Sequence, residues 1–371
     1  MSTTDFGALS DARKKIWAME VWKQGRDQSF WFSNGFVGRN ESEMGSIIHR
    51  VTKLTETERG ASCVMQIVGD LEGDGVVGDN TLEGNEEALI NDAQEITVDH
   101  MRNGVKSKGS MAEQQTVIRF RAQAKDKLTF WLSDKIDELM FLTASGRAYS
   151  LKTDGSARSG SQLPQLAFAA DVTAASTNRI KYAGSATGEA SLTTSDKMTW
   201  NFIVELCSFA KRKRIRPIRS GGKEYYAIVM SPEQARDLKQ DSGYQSNVRS
   251  AAPRSNKNPL FTGAFAVVDG VILHEHNKVF NTQGLTSGNK WGSGGTVEGA
   301  QALLMGAQAL GLATIGTPAM RESSDNDYGD KPGIAYGRKI GMLKPQFITP
   351  NANETSAEDY GLISVKTAAA A

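Results

Sequence analysis

Apolar residues recur along this chain with two periods, and each period predicts an element. The longest helical stripe lies in residues 111–145, where Val117, Phe120, Ala124, Leu128 and Trp131 fall at i, i+3 or i+4 spacing and Leu132, Ile136, Leu139 and Leu142 continue the same face. Gly146 stands where a helix C′ residue belongs. At 1.5 Å per residue such a helix would be a rod of roughly 50 Å, a structural spine. A second helix is predicted over 196–216, with Trp200, Ile203, Val204 and Cys207 on one face and Pro217 to stop it. Ser231-Pro232-Glu233 reads as a third helix start, serine as cap and proline at N1. Near the N-terminus, Ser10 could cap a short helix over 11–24 that groups Ala12, Ile16 and Met19.

Alternating and β-branched runs predict strands at 58–69, 95–109 and 224–230, and a hairpin across 259–276 that turns at Asp269-Gly270. An apolar segment spans 301–314, and 339–348 and 360–368 read as closing strands. Residues 150–195 and 281–298 are rich in glycine and small polar residues and read as loops. Residues 1–50 carry Phe30, Trp31, Phe32 and Phe36 among glycines with little periodicity. Such an arm either packs on something else or tucks against its own core, and the residues leave both open.

Composition narrows the classes. The 371 residues suggest about two lobes or one elaborated domain. With 39% hydrophobic and 23% charged residues, the chain can bury a sizeable core. Lys+Arg is 43 and Asp+Glu 42, so the chain lacks the basic excess of a dedicated nucleic-acid binder. Locally the charge is uneven. Between Asp70 and Asp99 there are ten acidic residues and no lysine or arginine, a stretch too poor in apolar area to form its own core. In 211–219, KRKRIRPIR, six of nine residues are cationic: Lys211, Arg212, Lys213, Arg214, Arg216 and Arg219. This run could touch phosphates without base readout, or it could be a cationic helix end favoured by the helix dipole. Two cysteines, Cys63 and Cys207, exclude a disulfide framework. A polar start and the absence of a long apolar run lead us to expect no signal peptide, no transmembrane helix and folding in a cytosol.

Motif by motif, no chemistry emerges. Gly73-Asp-Gly75-Val-Val-Gly78 matches GxGxxG, but Asp70, Glu72, Asp74 and Asp79 around it would repel a pyrophosphate and no strand–helix–strand unit follows. As a calcium loop the same stretch has Thr81 where a bidentate glutamate is required. His274-Glu-His276 sets two imidazoles on one strand face without a third zinc ligand, and a hydrogen-bonded pair is the plainer reading. SGGKE at 220–224 has Glu224 where a P-loop needs Ser or Thr, so it is a turn. No catalytic pair stands out. The expectation is a protein without metal, cofactor or enzymatic activity.

An ordered set of stretches resembles the major capsid proteins of tailed phages, in the branch typified by the large-virion-polymerase coliphages. The set is GDLEGDGVVGDNTLEGNEEAL, ITVDHMRNGVKSKGSMAEQQTVIRFRAQAKDKLTFW, YYAIVMSPEQARDLKQD, NPLFTGAFAVVDGVILHEH, LLMGAQALGLA and EDYGLISVKTA, covering roughly residues 40–370. The resemblance implies the α+β Hong Kong 97-type capsid fold. Its parts would be an N-terminal arm at 1–50, an extended β-loop at 51–110, and a peripheral domain at 111–195 with the spine helix at 111–145. An axial domain would follow at 196–335, and strands returning to the peripheral domain at 336–371.

The function implied is self-assembly into an icosahedral shell around a double-stranded DNA genome, in a virion capsid assembled in the host bacterial cytoplasm. Partners would be other copies in hexamers and pentamers, a portal protein, packaged DNA held non-specifically and, in some relatives, a decoration protein; a membrane is not among them. Only about 50 residues precede the first loop strand, so a separate scaffolding protein is implied rather than an internal scaffold segment. Asp70, Glu72, Asp74, Asp79, Glu83, Glu86 and Glu87 are the expected subunit contacts. The basic stretch would face a neighbour or the DNA. An encapsulin-like shell protein of the same fold is the alternative, and an enzyme using the 73–78 loop is a third, remoter class.

Overall fold

The computed structural model describes residues 11–40, 43–52, 62–71, 73–109, 120–251, 266–323, 330–349, 354 and 356–371. Ser10, Glu72 and Val117, named above, lie outside these residues.

The spine is the helix Phe120–Ser145, 26 residues and so about 39 Å long. Ala124, Leu128, Leu132, Ile136, Leu139 and Leu142 are buried along it as the stripe predicts. Its last two and a half turns are buried all round, because structure closes over both sides of that end. Trp131, expected in the core, is only half-buried; it flanks the core instead of filling it. Gly146 ends the helix with φ at 64°, where the Arg147 N–H reaches the Leu142 carbonyl at 2.9 Å and the Gly146 N–H that of Thr143 at 3.1 Å. This is a Schellman termination. A Cβ at Gly146 would stand 2.5 Å from the Thr173 carbonyl oxygen, so both conformation and space demand glycine.

The N-terminal helix Asp11–Gln28 lies along the spine with Ala18, Val21 and Trp22 buried and Gly25 against Leu132. This is not the face the apolar spacing suggested. Ile16 and Met19 are 57% and 54% exposed. The stripe that includes two tryptophans offers far more area to bury than Ala12, Ile16 and Met19, and Gly25 lets the two helices approach. After it, Ser29–Val37 folds back on the spine: Trp31 is fully buried and its ring lies 4.6 Å from Phe141. Of the two options for the arm, its described residues take the chain's own core.

Two sheets carry the rest. In the four-stranded sheet, Ile48–Val51 runs parallel to Leu310–Ser323, which pairs antiparallel with Gly333–Leu343, which pairs antiparallel with Asp99–Lys106. The larger sheet orders Ile180–Tyr182, Leu362–Ala368, Gly299–Met305, Lys223–Met230, Val271–Glu275 and Ala266–Val268, with Ile218–Ser220 added on Lys223–Met230. Gly299–Met305 and Leu362–Ala368 are buried at every residue, because the sheet is covered on both faces. Leu303, Met305 and Leu362 pack with the spine helix, whereas Leu304, Ile363 and Val365 pack under the helix Trp200–Arg212. One sheet thus serves as the wall between two cores, its side chains alternating between them.

The closing strands part company here. Gly333–Leu343 joins the four-stranded sheet, but Leu362–Ala368 pairs with Gly299–Met305 in the larger one. The hairpin Ala266–Val268 to Val271–Glu275 turns at Asp269-Gly270 with φ of 47° and 79°, the primed turn that Asp-Gly favours.

Candidate interface: an acidic loop and the basic cleft at its root

Strands Ser62–Val68 and Asn91–Thr97 form an antiparallel ribbon in register from Ser62 opposite Thr97 to Val68 opposite Asn91. Its inner residues Cys63, Met65, Ile67 and Ile96 are fully buried against Val51, Ala313, Leu343 and Phe347. This third core anchors the ribbon. The last rung is Gly69 N–H to the Ile90 carbonyl, 2.9 Å. Beyond it the chain leaves the protein. Asp70, Asp74, Asp79, Glu83, Glu86 and Glu87 are all exposed, and so are Leu71, Val77, Leu82, Leu89 and Ile90.

The loop's shape comes from its own short polar bonds. Glu87 accepts from the Gly73 N–H at 2.7 Å and Glu86 from the Gly84 N–H at 2.7 Å; the Asn80 and Asn85 amides donate to the Val77 and Thr81 carbonyls. No helix follows Gly73–Gly78, as a dinucleotide site would require. Among the described residues no group of three or more His, Cys, Asp or Glu is placed to hold a metal ion, and no helix is long and apolar enough to cross a membrane.

The basic stretch begins inside a helix and is turned outward by that helix's end. The helix Trp200–Arg212 is capped by Thr199, whose hydroxyl accepts from Phe202 N–H. It starts four residues later than the pattern suggested and buries Phe202, Ile203, Leu206, Cys207 and Ala210; Trp200 and Val204 flank that face half-buried. Pro217 does not stop it. The helix ends at Arg212 in a second Schellman turn, with Ile215 N–H on the Ala210 carbonyl at 3.1 Å and Arg214 left-handed at φ 51°. An arginine in this conformation is uncommon.

That turn places Lys211, Arg214, Arg216 and Arg219 along an open cleft of about 690 Å³ that Asp70, Leu71 and Tyr360 also line. Arg216 meets Asp70 at 3.0 Å, and Arg219 meets Glu224 at 3.1 Å. Arg212 points away, over the Phe209 ring at 5.4 Å, and the Lys213 carbonyl accepts from Arg179. Burial raises the phenols lining the cleft, Tyr226 to about 12, so they remain neutral donors. The structure therefore brings one of the expected acidic residues, Asp70, to the basic stretch. Asp74, Asp79, Glu83 and Glu86 form no ion pair among the described residues. Most of both charge patches is presented to solvent.

The buried charges are elsewhere and had no local signal. Lys344 and Asp359 pair at 2.9 Å with both side chains fully buried, and Arg179 and Glu354 at 2.6 Å, equally buried. Asp137 on the spine accepts from the Ser29 hydroxyl at 2.6 Å and the Phe30 N–H at 3.0 Å. Each joins segments more than ten residues apart, so no spacing rule could have found it.

A family model described as phage capsid protein matches residues 1–371. The major capsid protein of Pseudomonas phage KPP25 is 40% identical over 377 aligned positions, spanning 99% of this chain and 98% of the relative. Among solved structures, the capsid of Ralstonia phage GP4 superposes with a TM-score of 0.76 at 24% identity, covering 100% of this chain and 96% of the other. The Cyanophage Pam1 capsid asymmetric unit gives 0.67 at 19% identity with coverage of 100% and 96%. The chain belongs to the phage capsid protein family.

Proposed function

We infer that this chain is the major capsid protein of a phage, the repeated unit of its icosahedral shell. The observation that carries this is end-to-end identity of 40% with a major capsid protein. Its role is structural: copies contact one another through unlike surfaces in closing rings, which is how one chain makes hexamers and pentamers. We assign it further to the Hong Kong 97 fold and to the branch typified by the large-virion-polymerase coliphages, in a tailed phage with a double-stranded DNA genome. The division into arm, extended loop, peripheral and axial domains is part of that assignment, as are a portal, a separate scaffolding protein, a decoration protein and assembly in the host cytoplasm.

Within this reading the acidic loop seats on a neighbouring copy, and Lys211, Arg214, Arg216 and Arg219 form an intersubunit patch. Two facts support it. The loop exposes apolar side chains along with its charge, and a carboxylate from its root already pairs with Arg216. Each exposed pair contributes under about 1 kcal/mol, but a shell repeats them many times. The test is reversal of Glu83, Glu86 and Glu87 to lysine. The subunit should stay soluble and folded, and negative-stain microscopy should find no shells. Normal yields of normal shells would end the loop reading. Guanidinium groups of the patch facing the lumen in a shell map would favour the DNA reading instead.

A further inference from the structure

We propose that His276 is an acid-released latch that holds the N-terminal segment, from Ser29 to Val37, against the spine helix. The two histidines stand beside one joint. The His276 ring stacks on Phe141 of the spine, 4.9 Å between centroids and 13° between planes, and lies 4.5 Å from Phe30. The His274 ring meets Phe36 edge-on at 4.9 Å and Phe30 at 6.1 Å. Phe30 and Phe36 belong to the N-terminal segment, so both imidazoles complete an aromatic cluster whose other half is a separate stretch of chain. Charging His276 there would gain a cation–π contact with Phe141 but would bury a cation without a free counter-ion, and the second effect is the larger.

The geometry commits His276 to the neutral form. Its Nδ1 accepts the Lys278 backbone N–H at 3.1 Å, so a second ring proton on that atom would remove the acceptor of that amide. The surroundings offer an imidazolium little help. Lys278 is a like charge beside it, and Asp134, the carboxylate whose charge would favour protonation, is already occupied by the Lys278 ammonium. Glu275 on the same strand is turned to Lys239 at 3.0 Å. Lys135 of the spine is held by Glu138, which also takes Arg158. Burial, the largest cause, together with Lys278 lowers His276 from 6.5 to about 4.

The sign follows from linkage. Undocking exposes His276 and moves it from about 4 back toward its ordinary 6.5, so docking is strongest above 6.5 and weakens as pH falls below it. The full window corresponds to at most about a 300-fold weakening of the docking equilibrium. Asp137 acts the other way. Burial raises its carboxyl, so its own proton uptake favours the docked state and offsets part of the histidine effect at the acid end.

Amide hydrogen exchange of the full chain, read by mass spectrometry from neutral pH to about pH 4 and corrected for the intrinsic rate, tests the latch. Peptides over 29–37 should lose protection in this window while the central strand Lys223–Met230 keeps its own. His276→Phe keeps an apolar ring and cannot charge; with it the loss should move to lower pH. His276→Gln, which also cannot charge, serves if the phenylalanine variant does not fold. Protection of 29–37 that persists to pH 4, that fails only together with 223–230, or that follows the same profile in both variants would overturn the latch.

Discussion

The buried pair Lys344–Asp359 should prove a liability in isolation and a strong coupling when both partners are present. Both side chains are fully buried, and the ammonium is further bound to the Ala174 carbonyl at 3.0 Å. The carboxylate also accepts the Ser176 N–H at 3.0 Å and the Gln346 amide at 3.3 Å. Lys344 titrates below its ordinary range, with burial the first cause and attraction to Asp359 working against it. The attraction therefore does not fully repay the desolvation. Lys344→Met leaves a carboxylate in the core with two neutral donors, and should cost about 3–5 kcal/mol. Asp359→Asn keeps an acceptor for Ser176 but strands the lysine, with a similar cost. The double variant buries no charge and should lie within about 1 kcal/mol of the starting protein. Urea unfolding of the soluble subunit, with the m-value unchanged across the four proteins, would measure the cycle. Additive losses, with the double variant as damaged as the two singles summed, would refute the reasoning.

Along the spine, Leu139→Ala should cost about 2–5 kcal/mol because the residue is fully buried, while half-buried Trp131→Ala should cost about half as much, both read by denaturant midpoint. If Trp131→Ala is the worse of the two, the spine packs differently from the description above. Gly146→Ala meets both a left-handed backbone and the Thr173 carbonyl, and should lower stability by about 1–3 kcal/mol; an unchanged melting temperature would contradict that turn. Reversing Lys211 and Arg214 to glutamate should reduce shell yield while leaving the subunit's melting curve unchanged, since both side chains are exposed. A destabilised subunit would instead mean the patch holds its own chain together.

Local rules were sufficient wherever the determinant is local. The spine stripe, its glycine terminus, the Ser231 cap, the Asp269-Gly270 turn and the acidic stretch could be read directly, because each depends on neighbours within one or two turns of chain. The solvent-facing charge of the loop was equally legible, since ten carboxylates without a cation cannot be buried. Tertiary structure decided what depends on partners distant in sequence. The N-terminal helix could have buried either of two stripes, and contact with Leu132 selected the one through Trp22 and Gly25. The last strand entered the larger sheet rather than the four-stranded one, and there every residue is buried, polar Ser364, Lys366 and Thr367 included, with the Lys366 ammonium paired to Glu189 from a distant segment. The helix before the basic stretch stopped at a left-handed arginine rather than at the proline, which turned four cations toward the loop's root. The pairs Lys344–Asp359 and Arg179–Glu354 and the Asp137 clasp belong wholly to this second class: their energy exists only once the cores have closed and excluded water.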